Sequence, residues 1–139
     1  MKTILSLLTP KQATYFLEDD VTIRQALEKF DAHKFSVVPL LDKEGHYKGT
    51  LSEGDLLRFI KNKVNFDIQM AEHTSIKDVE HYRSYKALHI DTSILEIFAL
   101  ALDQNFVPLV DDLDHYIGII KRKEVIKYLS ENNLLKQKI

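Results

Sequence analysis

Apolar and polar positions alternate along this chain in a pattern that occurs twice. Ile23, Ala26, Leu27 and Phe30 recur at spacings of three and four, which predicts an amphipathic helix, and Ile94, Ile97, Phe98 and Ala101 do the same further on. Thr22 and Thr92 stand ahead of these stretches as candidate helix caps. Short apolar runs before them, Tyr15 to Leu17 and Ala87 to Ile90, predict strands. Val37 to Leu41 and Tyr47 to Leu51, separated by Asp42-Lys43-Glu44-Gly45, predict a β-hairpin, and Asp111-Asp112-Leu113-Asp114 turns the equivalent hairpin later. Helices over Glu53 to Lys61 and Arg122 to Ser130 close each set.

Sliding the sequence on itself makes the duplication explicit. An offset of 69 sets Val38-Pro39-Leu40 on Val107-Pro108-Leu109, Asp42 on Asp111, His46-Tyr47 on His115-Tyr116 and Gly49 on Gly118. Upstream the offset is 71, so the first copy and the second differ by two residues near His33 to Ser36. The unit is strand, helix, strand, strand, helix. Residues 1–62 form the first repeat, 63–75 a polar linker, 76–131 the second repeat and 132–139 a frayed tail. One copy is too small to bury both its helices and its sheet, so the expected fold class is α/β, with tandem pseudo-symmetric repeats packed as one module and a ligand cleft between like halves.

Composition narrows the chemistry. The chain has 139 residues, 45% of them apolar and 29% charged, the balance of a globular domain. It has no cysteine, which excludes thiol catalysis, Cys-based metal sites and a disulfide scaffold. The longest strictly apolar run, Ile97 to Leu102, is far short of a membrane span, and Pro10 and Lys11 interrupt the secretion-like start. A cytoplasmic location is expected. The net charge of −2, with signs interspersed, gives no footprint for nucleic acid. None of the six histidines falls in a metal-ligand motif; His46 and His115 repeat with their hairpins, and no bound metal is expected.

The pattern apolar-Pro-apolar-apolar-Asp, turn, Gly-apolar-apolar-Ser-x-x-Asp resembles the CBS domain. Val38-Pro39-Leu40-Leu41-Asp42 and Gly49-Thr50-Leu51-Ser52-Glu53-Gly54-Asp55 carry it in the first copy; Val107-Pro108-Leu109-Val110-Asp111 and Gly118-Ile119-Ile120 carry it in the second, with Ile76-Lys77-Asp78-Val79 as a lead-in. The resemblance covers nearly the whole chain and implies a stand-alone CBS pair, or Bateman module. Such a module is regulatory and non-catalytic, often a homodimer, and binds adenine nucleotides or S-adenosylmethionine between its copies.

The resemblance also implies ligand contacts. Ser52 and Asp55 match the family's phosphate and ribose contacts, although Ser-x-x-Asp ahead of an apolar run is equally a capping box. In the second copy Lys121 and Glu124 replace them, and Lys121-Arg122-Lys123 places three cations at a helix start, where the macrodipole disfavours them. An anionic ligand would offset that cost; so would a solvated, salt-screened turn. By family position the base would lie against main chain near Tyr15 to Leu17 with Ser36, Val38 and Pro39, and near Ala87 to Ile90 with Asn105, Val107 and Pro108; Thr9 belongs to a lead-in that touches ligand.

One asymmetry concerns a surface. Arg24, Glu28 and Asp31 become Leu95, Ala99 and Leu102, so the helix expected over 92–104 is apolar nearly all round and predicts burial on two sides, with a homodimer as the occupant of the second. The functional expectation is therefore a sensor of AMP, ADP, ATP or cyclic di-AMP, with no cofactor, acting in trans on a regulated protein or through an oligomer. S-adenosylmethionine would not exploit the basic helix start. The alternative is a protein-interaction adaptor that keeps the fold without a ligand. A hydrolase using Asp55 and Glu124 would lack a nucleophile or metal constellation.

Overall fold

The computed structural model describes residues 4–81 and 85–132. They form two compact units, one over 15–81 and the other combining 4–14 with 85–132.

The first unit contains β2 (Leu17–Glu18), α2 (Ile23–His33), β3 (Val37–Leu41), β4 (Tyr47–Ser52), α3 (Glu53–Lys61), α4 (Ile68–His73) and a 3-10 turn at Ile76–Asp78. Its sheet runs β2-β3-β4, with β2 parallel to β3 and β3 antiparallel to β4. Thr22 caps α2 through a reciprocal capping box with Gln25, as expected of a hydroxyl ahead of the apolar stripe. The stripe points Ile23, Ala26 and Phe30 into a core shared with Val38, Leu40, Leu51 and Leu56. Each such large side chain contributes about 1.5–3 kcal/mol when fully buried.

The polar stretch between the copies is structured. Asp67 caps α4 by accepting the Met70 N–H, Ala71 is buried in the first core, and Arg24 of α2 pairs with Glu72 of α4. Thr22 and Ser75 form an isolated antiparallel bridge beside this contact. Periodicity could not reveal so short a helix, since α4 has only six residues.

The second unit contains α1 (Ile4–Leu7), β1 (Thr9–Pro10), β5 (Leu88–His89), α5 (Ile94–Ala101), β6 (Phe106–Val110), β7 (Tyr116–Lys121) and α6 (Arg122–Glu131), with sheet order β1-β7-β6-β5. The expected strands at Tyr15 to Leu17 and Ala87 to Ile90 are both shorter, and the first is shifted toward the helix that follows. Ser93, not Thr92, caps α5 by accepting the Glu96 N–H, because a turn closed by the Thr92 N–H on His89 O precedes the helix, which starts at Ile94. Turns at Leu102 to Gln104 then end α5 at Ala101, earlier than the periodicity suggests. The expected tail beyond 132 lies outside the described residues.

The two hairpins fold by one device. Asp42 Oδ1 accepts the N–H groups of Glu44 and His46, and Asp111 Oδ1 accepts those of Leu113 and His115, all at 2.9 Å. Burial raises the Asp42 pKa, but the amides of His46 and Glu44 and the His46 imidazole outweigh it and lower the value to about 2. Asp111 is likewise lowered, chiefly by the His115 amide and against burial. The lead-in segments do not stay with the copies they precede. Leu7 packs in the second core and β1 pairs antiparallel to β7, whereas Ile76 and Val79 pack in the first core. Thr14 Oγ1 donates to Lys11 O and lies 3.0 Å from the hydroxyl of buried Tyr116, fastening the lead-in below β1; burial, partly offset by this bond, pushes Tyr116 up to about 12.

Candidate nucleotide-contact sites

In the first unit β4 delivers Ser52 to the start of α3. Ser52 Oγ accepts the Asp55 N–H at 3.1 Å, and Asp55 Oδ2 accepts the Ser52 N–H at 2.9 Å, so the capping box is formed in full. Asp55 is only 2% exposed, and its other oxygen, Oδ1, accepts Nη2 of Arg58 at 2.7 Å. The carboxylate therefore organises the helix start and holds a guanidinium together. A cavity of about 390 Å³ adjoins it, lined by Asp55, Arg58, Phe59, Asn62, Lys63, Asp78 and Glu80.

The main chain brings Ser36 to the same place, because its carbonyl accepts the Glu53 N–H at 3.0 Å and Val37 pairs with Ser52. Val38 and Pro39 follow on β3 with buried side chains, so they can offer a ligand little besides main chain. β2 meets β3 only at Leu40 and Leu41, leaving that side of Val37 to Pro39 without a strand neighbour among the described residues. Tyr15 is half exposed and stacks on His33 with centroids 4.2 Å apart, beside Phe35. It stands as a flat aromatic surface just ahead of β2.

The second unit repeats the backbone and changes the side chains. The Arg122 N–H donates to Asn105 O at 3.0 Å, matching Glu53 on Ser36, and Phe106 pairs with Lys121. Val107 and Pro108 are buried like Val38 and Pro39. Lys121 occupies the cap position with no side-chain cap bond, and Glu124 is half buried. Arg122 does not project freely from the helix start: its Nε donates to Ala101 O at 2.8 Å, at the carbonyl end of α5. That end carries partial negative charge, so part of the basic helix start is compensated within the protein. Thr9 lies on the outer edge of β7 opposite Ile119. Where the first copy stacks Tyr15 near Phe35, the second uses Gln104 to bond both the N–H and the carbonyl of Lys86, and the Tyr85 hydroxyl accepts the Asn105 N–H.

The site reading from sequence singles out Ser52 and Asp55 but misses Arg58, Tyr85, Gln104 and the His33 ring. Arg58 was within reach of the helical rule that pairs residues three apart, given an acid at 55. The histidines also carry more structure than their spacing implies. His46 Nδ1 lies 2.9 Å from Asp42 Oδ2, and His89 Nε2 lies 2.5 Å from Asp112 Oδ1 while its Nδ1 accepts the Asp91 N–H. These contacts order turns. No helix among the described residues is long and apolar enough to cross a membrane.

Comparison with known proteins agrees with this architecture. The family model described as "CBS domain" matches twice, over residues 11–62 and 74–131. Among solved structures, a CBS domain protein from Streptococcus pneumoniae TIGR4 is 24% identical, with 94% of this chain and 87% of that one covered and a TM-score of 0.81. CbpB of Listeria monocytogenes in complex with c-di-AMP is 21% identical over 95% of this chain and 98% of that one, with a TM-score of 0.81. CBSX2 in complex with AMP is 21% identical, covers 96% and 99%, and has a TM-score of 0.73. No curated protein matches. With both copies matched and the repeat built as strand, helix, strand, strand, helix in each unit, this chain belongs to the CBS domain family.

Proposed function

We propose that this chain is a regulatory module that binds an adenine nucleotide and signals the bound or empty state to a partner, without catalysing a reaction. The observation that carries this reading is the Ser52–Asp55 arrangement: a buried carboxylate one turn into a helix, beside a cavity and a guanidinium. A carboxylate accepts hydrogen bonds from the neighbouring hydroxyls of a ribose, and an arginine offers a fork of donors to phosphate. The names of two similar structures, CbpB with c-di-AMP and CBSX2 with AMP, support the same ligand class. Ser36, Val38, Pro39 and Tyr15 would serve the first copy's ligand, and Thr9, Asn105, Val107, Pro108, Lys121, Arg122 and Glu124 the second's. Signalling requires that the nucleotide bind two conformations with different affinity.

The output surface is the stripe on α5. Leu95 is 74% exposed and Leu102 81%, with Ala99 exposed between them, whereas Arg24 and Glu28 at equivalent places form an ion pair on α2. We assign this stripe to a homodimer in the cytoplasm that acts on a regulated protein in trans. Sedimentation should show a dimer that Leu95→Glu converts to monomer; a monomer at high concentration removes this part of the reading.

A thermal-shift panel of AMP, ADP, ATP, c-di-AMP and S-adenosylmethionine tests the whole. A ligand at 100 times its Kd stabilises the native state by about 2.7 kcal/mol. One of the adenine nucleotides should raise Tm, and Asp55→Ala should remove the shift. The adaptor reading is favoured by one feature, the Arg122–Ala101 bond that engages a cation otherwise available to an anion. A protein free of co-purified nucleotide that shows no shift with any ligand makes that reading the better one.

A further inference from the structure

We propose that the carboxamide of Gln104 stands in for a nucleotide base in the second copy, so that this copy's base position is self-occupied and an adenine nucleotide fills the first copy first. The proposal rests on the adenine-nucleotide reading above and adds an order of filling to it. Gln104 is only 6% exposed. Its Oε1 accepts the Lys86 N–H at 2.7 Å, and its Nε2 donates to Lys86 O and to Phe106 O, both at 3.1 Å. One side chain thus satisfies three main-chain groups, on the two segments that adjoin the expected base position, just ahead of β5 and at the start of β6.

The match is chemical. Adenine presents a ring nitrogen, N1, that accepts, next to an amino group, N6, that donates; a carboxamide presents an accepting oxygen beside a donating nitrogen. The N–H and carbonyl of Lys86 meet the second as they would meet the first. Hypoxanthine, with a protonated N1 and a carbonyl at C6, presents the reverse order and sets donor against donor. The ladder of β5 and β6 begins at Leu88 and Leu109, and Gln104 supplies the link ahead of it. Tyr85 reinforces that link: its hydroxyl accepts the Asn105 N–H at 3.2 Å, and its ring centroid lies 5.0 Å from that of Phe106. In the first copy Phe35 precedes Ser36 as Gln104 precedes Asn105, and a phenyl ring offers neither group; it packs 4.8 Å from Phe30 and 5.5 Å from Tyr15 instead. A nucleotide entering the second copy must displace the carboxamide, so its apparent affinity falls by the fraction of molecules in which that position is vacated.

Calorimetric titration with AMP of the wild type, Asp55→Ala, Gln104→Ala and the double variant tests this. The wild type should bind one AMP per chain, lost in Asp55→Ala. Gln104→Ala should bind a second, about tenfold or more tighter than any second binding in the wild type, the size of one or two net hydrogen bonds. The double variant should regain one AMP per chain, and IMP should not replace AMP there. If circular dichroism shows that the Ala variant does not fold, Gln104→Asn, whose carboxamide is one methylene too short to span both segments, decides in its place. A folded Gln104 variant that gains no site, a regained site that takes IMP as well as AMP, a wild type that binds two AMP in a single phase, or a wild-type site that survives Asp55→Ala overturns the stand-in and leaves the nucleotide reading in place. Binding of c-di-AMP with AMP bound by none of the proteins does the same. No binding of AMP or c-di-AMP to any of them overturns both.

Discussion

The two copies share a backbone plan and differ at the start of their last helix. In α3 a serine and a buried aspartate satisfy the amides reciprocally, and the aspartate also holds Arg58. In α6 a lysine stands at the cap with no side-chain bond, and its neighbour Arg122 turns away to Ala101 O. The lesson is that duplicated elements can be fixed by the same main-chain contacts, here Glu53 to Ser36 and Arg122 to Asn105, while the chemistry displayed at the end of the strand varies independently. One copy places a buried carboxylate at the helix start and the other a run of cations.

The sharpest difference is tested at the glycines. Gly118 has φ +149°, and a β-carbon on it would stand 2.2 Å from Thr9 O, inside the β1–β7 pairing; Gly49, with φ +144°, faces the His81 ring at 3.1 Å among the described residues. Gly118→Ala should cost about 3 kcal/mol or more in urea unfolding because strand β1 must detach, and Gly49→Ala about 1–2 kcal/mol from backbone strain with a movable side chain. Equal losses would mean that the lead-in strand is not what distinguishes the two edges.

The helix starts can be exchanged with a smaller effect. Lys121→Ser places a hydroxyl three residues ahead of Glu124, the spacing of a capping box, and should raise stability by about 1 kcal/mol. Asp55→Ala should lower it by about 2 kcal/mol, since it removes the cap's partner and the carboxylate that holds Arg58 Nη2. Chemical denaturation reads both, and a Lys121→Ser that stabilises nothing would show that α6 needs no cap.

The least effect is expected from the hairpin turns, which the copies share. Asp42 falls from its ordinary 3.8 to about 2 in the folded chain, so the unfolded chain binds protons first as pH drops. The turn's contribution is present above pH 3.8 and is lost as pH falls toward about 2. Asp42→Asn should flatten that part of the acid-unfolding profile, and Asp111→Asn should do so in the same direction. A profile unchanged by either substitution would sever the turns from acid sensitivity.

Much of this was legible in sequence because duplication repeats the signals that matter. The two hairpins, α2 and the start of α3 follow from Val-Pro-apolar runs, turn aspartates and hydroxyl caps that act over a few residues. The features that escaped are set by distant contacts or by competition. Ser93 takes the cap from Thr92 because a turn closed on His89 O sets the helix start at Ile94. α4 exists because Ala71 finds a core and Glu72 finds Arg24. At the site, Asp55 was readable as cap and as ligand contact, and the cap is formed; that its second oxygen holds Arg58 depends on where a long side chain lies over Gly54, which spacing permits without specifying.

The exchanged lead-ins also set an order of events during synthesis. Thr9 leaves the ribosome long before its partner Ile119, a delay on the order of ten seconds at about 5–20 residues per second. The first core, whose lead-in at 76–79 follows it in the chain, can complete itself in that interval. Leu7 and Leu8 must wait, apolar and unsheltered, for the sheet that covers them. Nascent chains arrested before β7 should therefore carry a folded first copy with Leu7 and Leu8 still uncovered.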